Sequence, residues 1–312
     1  MQNEAMAIIP IDKTEDNEIM VGGNRFSDDV WDFNDYVLNR TFARTFKKIN
    51  FTYIHSENIK NVVKLYAQYK LGKVKPRTIS SYVARIRPFI KYCEEKGLSS
   101  LREIKSPLFM EYLLWSKNTL HHKDSTLYEI AIIVSEIVRI GQIKGWDVTD
   151  EMFFSQYMTM GLIKSRRSLA YANKTKPIPI DVFNKILYYA LEKEKRVPTK
   201  AGIIIQSQTG LRINEVLSIQ EGCLSTTSDG YTFLEVEISK SEKGEPIKHK
   251  VYANELVIKC VEKLTEDTKC LREESGLKEL FLVRNQGIIT NSKTNNWTRK
   301  RLTPFMRRWD IR

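Results

Sequence analysis

Thr209-Gly210-Leu211-Arg212 runs into Ile213-Asn214-Glu215-Val216, and this order of residue types is suited to gripping a phosphate. Gly210 stops one helix, and Arg212 falls at or just before the start of the next. An arginine there lies beside free backbone N–H groups and the positive end of a helix dipole. A phosphate would meet a planar, two-pronged donor that stays charged at any working pH. Glu215, one turn on, is spaced to hold that guanidinium. Lys240 follows where the alternating strand TFLEVEIS gives way to the charged tip KSEKGE. A lysine on a reaching hairpin can give a proton to a departing alkoxide. Lys243 is the alternative acid, and His249, alone on a basic strand, reads as a surface residue. The bland readings are a structural ion pair for Arg212 with Glu215 and a solvated hairpin lysine for Lys240.

The elements that must position these residues follow from periodicity. Ile59, Val62, Val63, Tyr66 and Tyr69 predict a helix over 57–71, ended by Gly72. A second helix, from about 78 to 95, carries Ile79, Tyr82, Val83, Ile86, Phe89, Ile90 and Cys93, with Pro88 expected to kink or split it. Ser106-Pro107 opens a third through Trp115, and a fourth runs from about Ser125 to Ile143 and stops near Gly145. The stretch KSRRSLAYANKTKPIP, residues 164–179, is basic and apolar-poor with two prolines, a linker signature. A helix then begins after Pro179. The segment AGIIIQSQ leads to Thr209, and Ile213, Val216 and Leu217 start the next helix. Strand 232–239 and a second around PIKHKVYA form a β-hairpin. Helix 254–264, a short strand LFLV and a strongly basic end follow. Trp297 and Trp309 read as packing residues.

The 312 residues carry 50 Lys+Arg against 38 Asp+Glu, a formal net charge of +12, with 42% hydrophobic residues. That surplus concerns partners, and a polyanion such as nucleic acid fits it first. Cys93, Cys223, Cys260 and Cys270 form no CxxC pair and only four histidines are present, so no metal site is expected and a reducing compartment suits the thiols. The first twenty residues lack the pattern of a secretory signal. The most apolar helix, Ile130 to Ile143, is too short and too polar to span a bilayer. A soluble cytoplasmic protein is expected, with no cofactor, no membrane and no small-molecule substrate.

TGLRINEVLSI resembles the first conserved box of the tyrosine recombinase (phage integrase) family, T-G-[LM]-R-x-x-E-[LIV]-x-x-[LI]. Thr209, Gly210, Leu211, Arg212, Glu215, Val216 and Ile219 match it. Lys240 and the basic strand after it resemble the family's catalytic-lysine hairpin. TISSYVARIRPFIKYCEEKGL resembles the T-x-x-x-Y-x-x-x-[LI]-x-x-F-x-x-[YF] helix of its core-binding domain. The resemblance spans residues 55–305 in consistent order. It implies a mainly α fold with a small β-hairpin or sheet: an N-terminal helical (SAM-like) core-binding domain and a partial α+β catalytic domain. It implies site-specific DNA recombination or integration for a mobile element, including transposition, with strand cleavage and rejoining through a 3′-phosphotyrosyl intermediate. Its partners would be double-stranded DNA and other recombinase protomers.

The sequence departs from the family in its last part. No His follows His249 and no Tyr follows Tyr252. The H-x-L-R box and the nucleophilic tyrosine are therefore absent, and Arg307 and Arg308, with no histidine ahead of them, are not assigned to that box. The chain is expected to be truncated before that box, to bind DNA, and to be inactive as given. The alternative is a non-catalytic DNA-binding regulator or accessory protein on the same fold. The hairpin after Arg212 argues against an unrelated helical transcription factor.

The expected organisation is an N-terminal arm over 1–54, with 1–23 loose. A core-binding domain over 55–163, a basic linker over 164–178 and a partial catalytic domain over 179–312 follow. In residues 24–55, aromatics mixed with basic residues read first as one buried face of an ordinary element. Lys164, Arg166, Arg167, Lys174 and Lys176 are the candidate linker contacts to phosphates.

Overall fold

The first long helix begins where Ser56 accepts a hydrogen bond from the Ile59 N–H at 3.4 Å and satisfies one of the free donors at the helix start. The computed structural model describes residues 11–13, 19–36, 48–151, 176–238 and 247–311. They divide into two compact units that separate before Lys176.

In the first unit, short antiparallel strands β1 (Ile11–Lys13), β2 (Ile19–Val21) and β3 (Asn24–Arg25) pair in that order. Strands β4 (Val30–Asp32) and β5 (Lys48–Asn50) form a separate pair. Five helices follow: α1 (Glu57–Leu71), α2 (Pro76–Arg85), α3 (Arg87–Glu95), α4 (Ser106–Asn118) and α5 (Asp124–Lys144). Pro88 splits the second periodic stretch. It sits in the first turn of α3, where a missing N–H costs nothing, and the chain breaks at Ile86. The apolar stripe survives the break, with Ile79, Val83, Ile86, Phe89, Ile90 and Cys93 all buried. Gly145 ends α5 in the left-handed conformation, φ 69°.

The reading of residues 1–54 as a separate arm does not hold for the described part. Trp31, Phe33, Ile49 and Phe51 are fully buried in the same core as α1 to α5. Trp31 meets Phe51 edge-on at 4.9 Å, and the Lys64 ammonium of α1 donates to the Ser27 carbonyl at 2.8 Å. Asn24 ties the strands together: its Nδ2 donates to Val21 O, and its Oδ1 accepts from the Asp32 N–H at 2.7 Å. Among the described residues of this stretch, the aromatics thus form a buried face with a solvated edge; residues 37–47 lie outside the described residues. Farther into the unit, Tyr66 and Lys70 of α1 both reach Glu136 of α5, at 2.6 and 2.8 Å.

The second unit opens with α6 (Ile180–Tyr188), which continues into a π-helical turn, Tyr189–Lys193. Next come α7 (Val197–Thr209) and the short α8 (Ile213–Leu217). AGIIIQSQ lies inside α7, where Ile204 and Ile205 are fully buried. Strands β6 (Leu224–Thr226), β7 (Thr232–Ile238) and β8 (Ile247–Tyr252) form an antiparallel sheet in chain order. Then follow α9 (Glu255–Asp267), α10 (Lys269–Ser275) and the hairpin β9 (Leu282–Asn285) and β10 (Ile288–Asn291). The short strand expected at LFLV is shifted: Leu282 and Val283 are in β9, and the strand turns back at Gln286-Gly287, both with positive φ, as a two-residue hairpin turn requires. The basic end is helical, with α11 (Thr294–Trp297), a π-helical turn over Thr298–Leu302 and α12 (Thr303–Arg308).

Helix α7 is the axis of this unit. It packs against α9, and Trp297 lies so close to Gly202 that an added Cβ would overlap the indole. Trp297 also meets Phe281 edge-on at 5.7 Å. A smaller cluster joins Ala190, Ile203, Ile204, Phe305 and Ile311, beside which Trp309 stacks on Tyr189 at 4.7 Å. The fold is mainly helical with small antiparallel sheets: one helical unit and one α+β unit.

Candidate functional site

Gly210 ends α7 with φ 69°, and its N–H donates to Gln206 O at 3.0 Å. The space around it is open, so glycine is required by backbone conformation and not by crowding. This reversal hands α7 over to α8 within three residues. Thr209 fixes both sides of it: its hydroxyl donates to Ile205 O at 2.6 Å and accepts from the Leu211 N–H at 3.3 Å.

Arg212 is the residue that caps α8, with extended backbone angles of φ −68° and ψ 147°. Glu215 holds it at two points. Oε2 accepts the Arg212 backbone N–H at 2.8 Å, and Oε1 accepts from Nη1 at 2.9 Å. The Glu215 side chain is 2% exposed and that of Arg212 51%. One buried carboxylate therefore fixes both the root and the head of the arginine. The rest of the guanidinium is half-exposed beside the start of α8, where its remaining donors can meet an oxyanion.

Strand β7 packs against α8. It ends at Ile238 and β8 resumes at Ile247, so Lys240 and Lys243 lie in a connection outside the described residues. Lys164, Arg166, Arg167 and Lys174 also lie outside them. Lys176 is described and exposed. Of the candidate residues, Arg212 and Glu215 are thus the pair in contact. On β8, Lys248, His249 and Lys250 are exposed. Lys250 bridges to Glu235 of β7 at 3.1 Å, and this bond holds the Glu235 carboxyl below its usual range. Sequence reading missed a bond that steadies the end of α7: Asn254 Nδ2 donates to Gln208 Oε1 at 2.8 Å while Asn254 Oδ1 caps α9. Nothing local signals a partner that far along the chain. Among the described residues no cluster of His, Cys, Asp or Glu is placed to hold a metal ion, and no helix is long and apolar enough to cross a membrane.

No protein-family model matches the chain, and no curated protein matches it. Among solved structures it is similar to the XerH site-specific recombinase bound to palindromic difH substrate, a post-cleavage complex. That match has 14% identity and a TM-score of 0.51, over 84% of this chain and 76% of that one. XerA recombinase matches at 13% identity with a TM-score of 0.33, over 80% of this chain and 77% of that one. The XerH likeness shows the fold: this chain has the fold of a site-specific recombinase.

Proposed function

We propose that the chain is a tyrosine recombinase family member that engages the phosphodiester backbone of double-stranded DNA. Arg212 holds the phosphate to be cut, Glu215 holds Arg212, and Lys240 gives the proton to the leaving 5′-oxygen. The carrying observation is the half-exposed Arg212 guanidinium fixed at the start of α8 by a buried carboxylate. Preorganised donors of this kind stabilise the charge that builds on a phosphoryl group in the transition state. The XerH structure is a recombinase on its DNA substrate, which supports the choice of ligand. In the family this chemistry serves strand exchange between protomers, and integration or transposition of a mobile element is the setting proposed, in the cytoplasm. Lys164, Arg166, Arg167, Lys174 and Lys176 would contact phosphates along the same DNA.

A second reading, a protein that occupies DNA sites without cutting them, also gives Arg212 a phosphate. The test is a duplex series in which one phosphate at a time is replaced by a neutral methylphosphonate. The wild-type chain loses affinity most at one position, and Arg212→Ala removes that sensitivity. An identical profile in the two proteins overturns the assignment of Arg212.

A further inference from the structure

The end of α7 away from Arg212 faces a cleft of about 570 Å³. A helix of this length rises about 20 Å, so the cleft is distinct from the Arg212 site. Its cationic lining is Lys195, Arg196, Arg284, Lys300 and Arg301, and Asp267 is its one acidic lining residue. Two nearby carboxylates, Glu194 and Glu274, are already engaged. Glu194, 1% exposed, accepts from Arg196 Nε at 3.1 Å and from Arg308 Nη1 at 3.2 Å. Arg284 is paired with Glu274. Arg301 has no hydrogen bond or ion pair to any described residue, and Asp267 and Glu194 act on it only through space. Burial, and then the charge of Arg196, push its guanidinium below the usual arginine range. A partly buried cation beside a second cation, with Glu194 committed to Arg196 and Arg308 and Asp267 acting only through space, lacks a bonded anion.

We propose that this cleft binds a phosphate group, with Arg301 as its principal donor and Lys300 and Lys195 at the rim. Phosphate suits planar guanidinium donors and surrounding ammonium groups, and Ser292 and Asn296 in the lining add neutral partners. The cleft is larger than one phosphate needs, so the ligand carries more than one: a free polyphosphate anion, or the phosphodiester chain of a nucleic acid.

The experiment is calorimetric titration with inorganic pyrophosphate at fixed ionic strength, in an Arg212→Ala background so that the other site does not contribute. Arg301→Gln is expected to weaken binding by about tenfold or more, since a hydrogen bond to a charged group is worth that much. Lys195→Gln with Lys300→Gln, both at exposed positions, weakens it less and guards against a folding defect in Arg301→Gln. No heat from pyrophosphate, or unchanged affinity in both variants, overturns the proposal. A short single-stranded oligonucleotide that displaces pyrophosphate identifies the phosphodiester source. One that leaves it bound identifies the free anion.

Discussion

The carboxylate of Glu215 reaches Arg212 twice, at the backbone N–H and at Nη1, so the two residues respond unequally to replacement. Glu215→Ala removes a buried acceptor and leaves the first turn of α8 without its partner, at a cost of about 1–3 kcal/mol. Arg212→Ala leaves that buried carboxylate its backbone N–H donor, so it is expected to cost less than Glu215→Ala. Chemical denaturation of the two variants checks this, and an equal loss contradicts the view that the arginine is held for something other than stability.

Gly202 and Trp297 make a second asymmetric pair. A methyl group on Gly202 would occupy space held by the indole, and Trp297 is 2% exposed against Phe281, so it has little room to retreat. Gly202→Ala is expected to destabilise the second unit by about 1–3 kcal/mol, the usual cost of overpacking. Thermal unfolding with near-ultraviolet dichroism from the tryptophans would follow it. An unchanged midpoint would mean that the ring swings aside freely.

Two carboxylates contribute to the response to acid. Burial pushes both up, but Arg196 holds the Glu194 carboxyl below its ordinary value, and Lys70 with the Tyr66 hydroxyl does the same for Glu136. A folded-state value below the unfolded one contributes stability that is fully present above the unfolded value. It is lost as pH falls through the folded one. Stability should therefore decline below about pH 4.5, the unfolded carboxylate range, and Glu194→Gln should flatten part of that decline. Urea midpoints measured across this window decide it, and a wild-type profile in Glu194→Gln would exclude Glu194 as a contributor.

Much of this architecture is legible in the sequence where local signals suffice. Ser56, Pro88 and Gly145 mark boundaries that need only neighbouring residues, and Thr209-Gly210 announces the break before Arg212. The strands of residues 11–50 escape notice because two or three residues carry no measurable alternation. Trp31 and Phe51 become core only once β4 pairs with β5 and β5 packs against α2. The helical basic end is masked by its charge, since Arg299, Lys300 and Arg301 interrupt any apolar stripe. The cleft around Arg301 is assembled from four separated segments, so no spacing rule could reveal it. Lys240, by contrast, was placed by order along the chain alone and lies outside the described residues.

DNA binding should depend steeply on salt. Each phosphate neutralised by lysine or arginine releases counterions, so log affinity falls linearly with log salt. Replacing Lys164, Arg166 and Arg167 together by Gln should lower that slope by about 2–3, because each neutralised phosphate contributes about 0.9. Fluorescence anisotropy over a salt series measures it. An unchanged slope would remove these residues from the interface.

The sharpest expectation concerns covalent chemistry. Attack on a phosphodiester needs a nucleophile, and in the tyrosine recombinase family that nucleophile lies beyond the hairpin lysine, where this sequence has no tyrosine after Tyr252. Holding the phosphate with Arg212 stabilises a transition state but supplies no attacking oxygen. These 312 residues should therefore bind a nicked suicide duplex and leave no adduct on a denaturing gel. The same duplex should still show the Arg212-dependent methylphosphonate position, which separates gripping from cutting. If an adduct does form, mass spectrometry of the linked peptide would identify the nucleophile. A link through Tyr231 or Tyr252, the exposed tyrosines that flank the β7–β8 hairpin, would overturn the expectation that these residues hold the phosphate without cutting it.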